Sequence, residues 1–343
     1  MKRFPKIAAA FLIGMLSSSA VLAQAADAEI GGLSETEVPP TGPYGAVMEY
    51  DSSIRPAQTI YRPRDLGKIG RMPIVVWGSG GCRFNGGAAS RRFLLEVASY
   101  GYFIVAPGNP GPDRPVEPTA DRVIQSPRPR PVEGARPPRL ATGARGARPP
   151  QPGGESVPGE SREKTLPANM EAAIDWAVNE NDRDGSAYRG KLAVDKIAAS
   201  GRSCGGLLAL SIQQDPRVKA AMIWNSGIFG RPGAGGGVEI TKDALKQLHT
   251  PVLYVAGGAD DVAHENAVDD VSRINHVPVF FGEIPTGHPG TMRQANGGST
   301  SKVAVAWLDW QLKGDERAGR MFSGEDCELC RNPVWTVVRK NMK

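Results

Sequence analysis

The stretch of sequence that decides the fold is Ile197-Ala-Ala-Ser-Gly-Arg-Ser-Cys-Gly-Gly-Leu-Leu-Ala-Leu210. It begins as a short apolar run, which is typical of a buried strand, and it ends as an apolar helical run. The two runs are joined by the pattern Gly201-x-Ser203-x-Gly205. This pattern predicts a sharp turn between a strand and a helix, because small residues two positions before and after Ser203 let its hydroxyl stand clear of the sheet.

Similar apolar runs recur along the chain and alternate with helical segments. The apolar runs are continuous, which is typical of strands that are covered on both faces. Strands that alternate with helices in this way predict an α/β protein with a doubly wound, mostly parallel sheet. The predicted strands are 74–77, 102–106, 197–199, 220–224, 252–255 and 277–281, and the predicted helices are 89–100, 166–179, 206–213, 242–248, 266–274 and 302–312.

The first 25 residues have the features of a secretory signal peptide. They combine a positive cluster, an apolar run too short to span a membrane, and the small-x-small sequence Ala23-Gln24-Ala25. We therefore predict that residues 1–25 are a signal peptide and that the protein is secreted or periplasmic, without a membrane anchor. Residues 26–343 are long enough for a single large α/β domain.

The charge of the chain gives no support to a nucleic-acid partner. The formal charge is +5, and it falls to +2 when the three basic residues of the leader are removed, leaving 38 Lys and Arg against 36 Asp and Glu. A nucleic-acid-binding domain is expected to carry a basic excess or an aromatic-basic motif, and the sequence contains neither.

A segment of unusual composition, residues 111–164, interrupts the predicted domain. It is dense in Pro, Arg, Gly and Ala and has few apolar residues to bury, so it is expected to be a disordered or polyproline-like insertion. It follows a predicted strand at the carboxyl edge of the sheet, where ligands bind in open α/β folds. A lid or surface-tethering role and a simple spacer are both compatible with this position.

A serine hydroxyl becomes a good nucleophile only when a neighbouring base takes its proton. The chain has four histidines. His288 lies in a Gly- and Pro-rich loop after the last predicted strand, from which it can reach back over the turn at Ser203. His249 precedes a strand and so lies at the opposite edge, while His264 and His276 flank a helix and are expected at the surface. His288 is therefore the predicted base.

The acid that orients the histidine is expected at the end of the preceding strand, where Asp260 and Asp261 follow Val252–Val255. Either carboxylate could accept the imidazole N–H and stabilise the charged ring. Spacing barely separates the two; we favour Asp261 and keep Asp260 as the alternative. The resulting order along the chain, Ser, Asp, His, is the one that accompanies a Gly-x-Ser-x-Gly turn.

Backbone N–H groups are also needed to stabilise the oxyanion that forms when the serine attacks. Cys204 follows the serine directly, and the glycine run Gly78–Cys82 follows a predicted strand, so Cys204 and either Gly81 or Cys82 are the predicted donors. Cys204 is a poorer nucleophile candidate than Ser203, because its neighbour at the crowded position two residues earlier is the bulky Arg202.

The four cysteines are expected to form two disulfides in an exported protein. Two cysteines that flank one oxyanion have α-carbons that could lie within disulfide range, which favours a Cys82–Cys204 bridge. The remaining pair, Cys327 and Cys330, then forms a short structural bridge near the C-terminus. A zinc site is not favoured, because a second Cys-x-x-Cys is absent.

Over nearly the whole mature chain except the insertion, the sequence resembles the α/β-hydrolase superfamily. The resemblance rests on Gly78–Cys82, Gly201–Gly205, Asp261 and His288, with a Trp-rich helix end at Trp307–Asp315. It is similar to secreted esterases of the dienelactone-hydrolase-like and cutinase or polyester-hydrolase kinds. It differs from dienelactone hydrolases in having serine as nucleophile and from compact cutinases in its long insertion. The resemblance implies activity on carboxylic esters, with polymeric substrates as a suggestion.

The sequence thus predicts a serine hydrolase that cleaves a small-molecule or polymeric ester through an acyl-enzyme, without a metal or organic cofactor. Trp224 and Phe229 follow a strand at the carboxyl edge and either bind substrate or pack under the helices. Peptidases, amidases, lactonases and acyltransferases use the same machinery, because the fold does not fix the substrate. A binding protein without catalytic activity is the alternative from a different functional class.

Overall fold

The computed structural model describes residues 29–31, 38–51, 54–112 and 163–342. The predicted signal peptide, residues 1–25, and all but the ends of the predicted insertion, residues 111–164, lie outside these ranges. Among the described helices, none has both the length and the apolar character that a membrane span requires.

One twisted sheet forms the centre of the described structure, and its middle is parallel. Its strand order is β1-β2-β3-β5-β4-β6-β7-β8-β9-β10. The six strands from β5 to β9 in that order are mutually parallel, and antiparallel strands flank them on both sides. The strands are β1 Glu29–Gly31, β2 Val47–Tyr50, β3 Gln58–Arg62, β4 Met72–Gly78, β5 Phe103–Pro107, β6 Leu192–Arg202, β7 Val218–Trp224, β8 Val252–Ala256, β9 Val279–Glu283 and β10 Thr336–Lys340.

Helices cover both faces of this sheet, as a doubly wound topology requires. Helices α1 and α5 pack on one face through residues such as Phe93 and Trp307, and helices α2, α3 and α4 pack on the other through residues such as Met170, Leu207 and Val271. The helices are α1 Arg91–Ser99, α2 Pro167–Asp182, α3 Cys204–Ser211, α4 His264–Arg273, α5 Gly298–Lys313, α6 Glu316–Gly319 and α7 Glu328–Arg331.

The α/β class and the mostly parallel sheet are confirmed, and all six predicted strands are present. The structure differs from the predictions in two places. The first is at the margins of the sheet, where the structure has four strands that the sequence did not predict, β1, β2, β3 and β10. These strands have only three to five residues each, and β10 is largely exposed, so they lack the continuous apolar run that marks the buried strands. The second difference is the predicted helix 242–248, which is a 3-10 helix over Lys242–Gln247.

The topology brings the segments that follow several strands to one edge of the sheet. Because β4, β6, β7, β8 and β9 are parallel, their carboxyl ends lie side by side. Each of these five strands leads into one part of the candidate site. In the order of the strands, these parts are residues 79–82 of the glycine run, Ser203, Asn225, Asp261 and His288. Ligands of open α/β sheets bind at this edge.

Candidate active site

The turn between β6 and α3 holds Ser203 in an uncommon backbone conformation, with φ +53° and ψ −126°. A positive φ is rare for a non-glycine residue and marks a local strain that the surrounding packing maintains. The packing leaves no room for larger neighbours, since a Cβ on Gly201 would lie 2.1 Å from the Gly205 carbonyl oxygen and one on Gly205 would lie 1.9 Å from that of Gly78. The predicted sharp turn is thus confirmed, together with its requirement for small residues.

The side chains of Ser203, His288 and Asp261 form a continuous hydrogen-bonded row. The His288 Nε2 atom lies 2.9 Å from Ser203 Oγ, and its Nδ1 atom lies 2.7 Å from Asp261 Oδ1. An ionised carboxylate can only accept, so Nδ1–H is the donor to Asp261. In the neutral ring this leaves Nε2 as an acceptor facing the serine hydroxyl, which is the tautomer that a general base requires.

The Asp261 carboxylate is buried but fully hydrogen-bonded. Besides His288, its oxygens accept hydrogen bonds from the backbone N–H groups of Gly257 and Ala263 at 2.9 Å and from Asn225 Nδ2 at 2.8 Å. Burial by itself raises the pKa of this carboxyl, but the four donors favour the ionised form more strongly. The net result is that the pKa of Asp261 is lowered from 3.8 to about 2.

The side chains of the other candidates for base and acid are not members of this row. Asp260 is exposed to solvent, whereas Asp261 is 4% exposed and contacts the histidine. His249 and His276 bond backbone carbonyls of Val218 and Leu248. His264 pairs with Glu283 at 2.8 Å, and this hydrogen bond raises the pKa of the imidazole.

A disulfide joins the two segments that were predicted to bind the oxyanion. Cys82 and Cys204 are bonded with their α-carbons 5.1 Å apart, and Cys327 is bonded to Cys330, so both predicted pairings are confirmed. The Cys82 N–H already donates to the Ser79 carbonyl at 3.1 Å, which makes Gly81 the better of the two candidate donors on this loop. Cys204 is the first residue of α3, where the N–H groups have no acceptor within the helix.

Two further side chains hold the loop that carries His288, and the sequence did not point to either role. Arg202 donates through Nη2 to the His288 carbonyl oxygen at 2.7 Å, and Asn225 donates to the Gly287 carbonyl oxygen at 3.3 Å. For Arg202, the sequence does hold a signal, because a bulky residue stands inside the Gly-x-Ser-x-Gly turn. Nothing in the sequence around Asn225 indicates the second.

The two predicted substrate-binding residues lie in different surroundings. Trp224 is fully buried, its indole N–H donates to Ser200 Oγ at 2.9 Å, and its ring packs against Phe93. The structure therefore places Trp224 in the core on the α1 side of the sheet. This agrees with the alternative that Trp224 packs under the helices. Phe229 is partly exposed, and its proposed contact with substrate stays a prediction.

Within the described ranges, no three His, Cys, Asp or Glu side chains are grouped closely enough to hold a metal ion.

Neither a scan against models of known protein families nor a search of curated proteins finds a match to this chain. The geometry of the row Ser203–His288–Asp261 is therefore the basis for a functional interpretation.

Proposed function

We propose that this protein is an exported serine hydrolase of the α/β-hydrolase fold that cleaves carboxylic esters. The single observation that carries the proposal is the unbroken hydrogen-bonded row from Ser203 Oγ through His288 to Asp261. The row lies where five parallel strands end, and its serine is on a tight turn that begins a helix. Such a constellation is recognised by geometry and by the roles of its members.

In the first half of the reaction, Ser203 Oγ attacks the ester carbonyl carbon while His288 Nε2 takes its proton. Asp261 stabilises the imidazolium that forms, because it is ionised and bonded to Nδ1. The carbonyl oxygen becomes an oxyanion, which the N–H groups of Cys204 and Gly81 stabilise. His288 then gives the proton to the departing alcohol, and an acyl-Ser203 ester remains.

In the second half, water takes the place of the alcohol. His288 removes a proton from the water, whose oxygen attacks the acyl carbon, and the proton returns to Ser203 Oγ as the carboxylic acid leaves. Every proton is moved by the one imidazole, so the cycle needs no metal or organic cofactor. The partner that the chemistry requires is the ester substrate itself, small or polymeric.

Export is the second part of the proposal. Two disulfides are present in the structure, and disulfides persist mainly in oxidising compartments. This supports the secreted or periplasmic location that the first 25 residues suggest.

The test of the proposed activity is covalent labelling of the full-length mature protein with a fluorophosphonate. We expect one equivalent of probe on Ser203, located by peptide mass spectrometry, together with turnover of nitrophenyl esters. Ser203→Ala removes the nucleophile and is expected to lower kcat by at least about 10³-fold and to abolish labelling.

The matched control is Ser211→Ala, a serine at the end of the same helix whose hydroxyl bonds the Leu207 carbonyl. It should label and turn over like the wild type. Peptide and lactone substrates measured beside the esters separate a peptidase or a lactonase from an esterase. A folded wild type that reacts neither with the probe nor with any of these substrates would leave the binding protein as the better interpretation.

A further inference from the structure

We infer that Asn225 is a positioning residue in the triad formed by Ser203, His288 and Asp261. It fixes Asp261, the triad acid, relative to the loop that carries His288, the triad base. The inference rests on the proposed function, since it assigns Asn225 a part in the same site. Asn225 follows the carboxyl end of β7, between the strands that carry the serine and the aspartate. It is only 4% exposed, so we assign it no direct contact with substrate.

The amide of Asn225 connects two parts of the site that are far apart in sequence. Its Nδ2 atom lies 2.8 Å from Asp261 Oδ2 and 3.3 Å from the Gly287 carbonyl oxygen. Both partners are acceptors, and an amide NH2 has two hydrogens to donate. These contacts therefore identify the NH2 end of the amide as the end that faces the site. This one group bonds both Asp261 and Gly287, the residue before His288.

The contact with Asp261 is on the oxygen that does not bond His288. Oδ1 accepts from the imidazole, while Oδ2 accepts from Asn225 and from the backbone N–H of Gly257. Donors on Oδ2 fix the plane of the carboxylate, and this sets the direction in which Oδ1 faces the ring. Asn225 thus acts on the orientation of His288 from both sides, through the carboxylate and through the main chain at Gly287.

The backbone of Asn225 is also specialised. Its φ is +46°, in the left-handed region, where asparagine is one of the few non-glycine residues that occur readily. Its N–H donates to the Val255 carbonyl oxygen at 2.7 Å, which attaches it to the end of β8. Asn225 thus combines a left-handed backbone directly after β7 with a side-chain hydrogen bond to Asp261.

Because Asn225 has a positive φ, its side-chain amide can be removed by a substitution that does not strain the backbone. Asn225→Gly removes the amide and keeps a residue that tolerates a positive φ without strain. We expect kcat for a nitrophenyl ester to fall about 10- to 100-fold with KM within about twofold, because small errors in orienting catalytic groups have this effect on the chemical step. The matched control is Asn296→Gly, an asparagine with φ +51° outside the triad's hydrogen bonds, which should keep kcat within about twofold.

A second variant gives a readout that a structural role alone would not change. Asn225→Asp replaces a donor to Asp261 Oδ2 with a carboxyl group, so it adds negative charge next to the carboxylate that bonds the imidazole. We expect the acidic limb of the pH profile of kcat/KM to move to higher pH than in the wild type, because added negative charge favours the protonated ring. Thermal unfolding of each variant confirms that the folded protein is being measured.

The outcomes separate this inference from the proposed function. If the wild type does not label at Ser203, the proposed function fails, whatever Asn225 does. If the wild type labels and turns over, but Asn225→Gly keeps kcat within twofold and Asn225→Asp leaves the acidic limb in place, Asn225 is not a positioning residue. A fall in kcat for Asn225→Gly that Asn296→Gly does not share, with the shifted limb in Asn225→Asp, supports it.

Discussion

Asp261, in the loop after β8, and Asp270, in helix α4, are both buried carboxylates, yet their environments have opposite effects on ionisation. Their exposed fractions are 4% and 0%. The pKa of Asp261 is lowered to about 2, whereas burial raises the pKa of Asp270 to about 6. Burial alone therefore does not determine which buried acid remains charged in this protein.

The difference lies in the hydrogen-bond donors. Four donors lie within 2.9 Å of the Asp261 oxygens. Asp270 accepts from Lys242 Nζ at 2.5 Å and the Ile228 N–H at 2.8 Å, while the Tyr254 hydroxyl is 3.4 Å away. A carboxylate with several close donors stays ionised in spite of burial. Asp261 has the environment of a permanently charged group, and Asp270 joins the loop after β7 to helix α4.

The largest expected effect follows from removing the charge of Asp261. Asp261→Asn puts an amide where the carboxylate was, and the imidazole loses the acceptor that fixes its tautomer. We expect kcat for ester hydrolysis to fall about 10⁴-fold, as for the equivalent change in other triads. Steady-state kinetics at saturating substrate measures this loss.

Asp260→Asn is the matched control for that experiment, because Asp260 is the exposed neighbour that the sequence could not distinguish from Asp261. It should keep wild-type kcat within about twofold. Equal losses in the two variants would contradict the assignment of the acid and with it the contrast between the buried carboxylates.

The central part of the fold, Ser203 and His288 could be predicted because each leaves a local signal. The parallel strands are continuous apolar runs, and Ser203 lies in a pattern that only a tight turn explains. The order of Asp and His along the chain follows from the topology. The spacing of Asp260 and Asp261 carries no such signal, because a difference of one residue is decided by how the loop turns after β8.

The contacts that Asn225 makes left no trace in the sequence. Asn225 is 36 residues from Asp261 and 62 from Gly287, so its role depends on how three strands pack. For Trp224, the last residue of β7, the sequence did not decide between pocket and core. Alternate residues of a strand point to opposite faces, and the register that decides between them is set by tertiary pairing.

The ionised state of Asp270 can be tested by removing its charged donor. In Lys242→Met the carboxylate loses an ammonium that is 16% exposed and also contacts Asp269. We expect the free energy of unfolding to fall by about 3 kcal/mol at pH 8, since an uncompensated buried charge is costly. The loss should be smaller at pH 5, where the pKa of about 6 keeps Asp270 mostly protonated. Denaturant unfolding at the two pH values measures it.

The control is Asp270→Asn, alone and combined with Lys242→Met. A raised pKa in the folded state means that folded Asp270 binds a proton that the unfolded chain releases, so its stabilising contribution is lost as pH rises from about 4 through 6. Wild-type stability relative to Asp270→Asn should decline over that window by up to about 1.4 kcal/mol per pH unit. A Lys242→Met loss that is equal at pH 5 and pH 8, or unchanged when Asp270 is also replaced, would argue against the coupling.

The smallest expected effect concerns the third donor to Asp270. The Tyr254 hydroxyl is fully buried, and burial raises its pKa well above the ordinary value, so it is neutral and able to donate. Its distance of 3.4 Å is long for an O–H donor, while the Ile228 N–H already bonds the same Oδ2 atom at 2.8 Å. Tyr254→Phe should therefore cost less than about 1 kcal/mol of unfolding free energy at pH 8 and leave ester turnover unchanged. A loss above about 2 kcal/mol would make the tyrosine a principal donor, and the number of close donors could then no longer explain why the two buried aspartates differ.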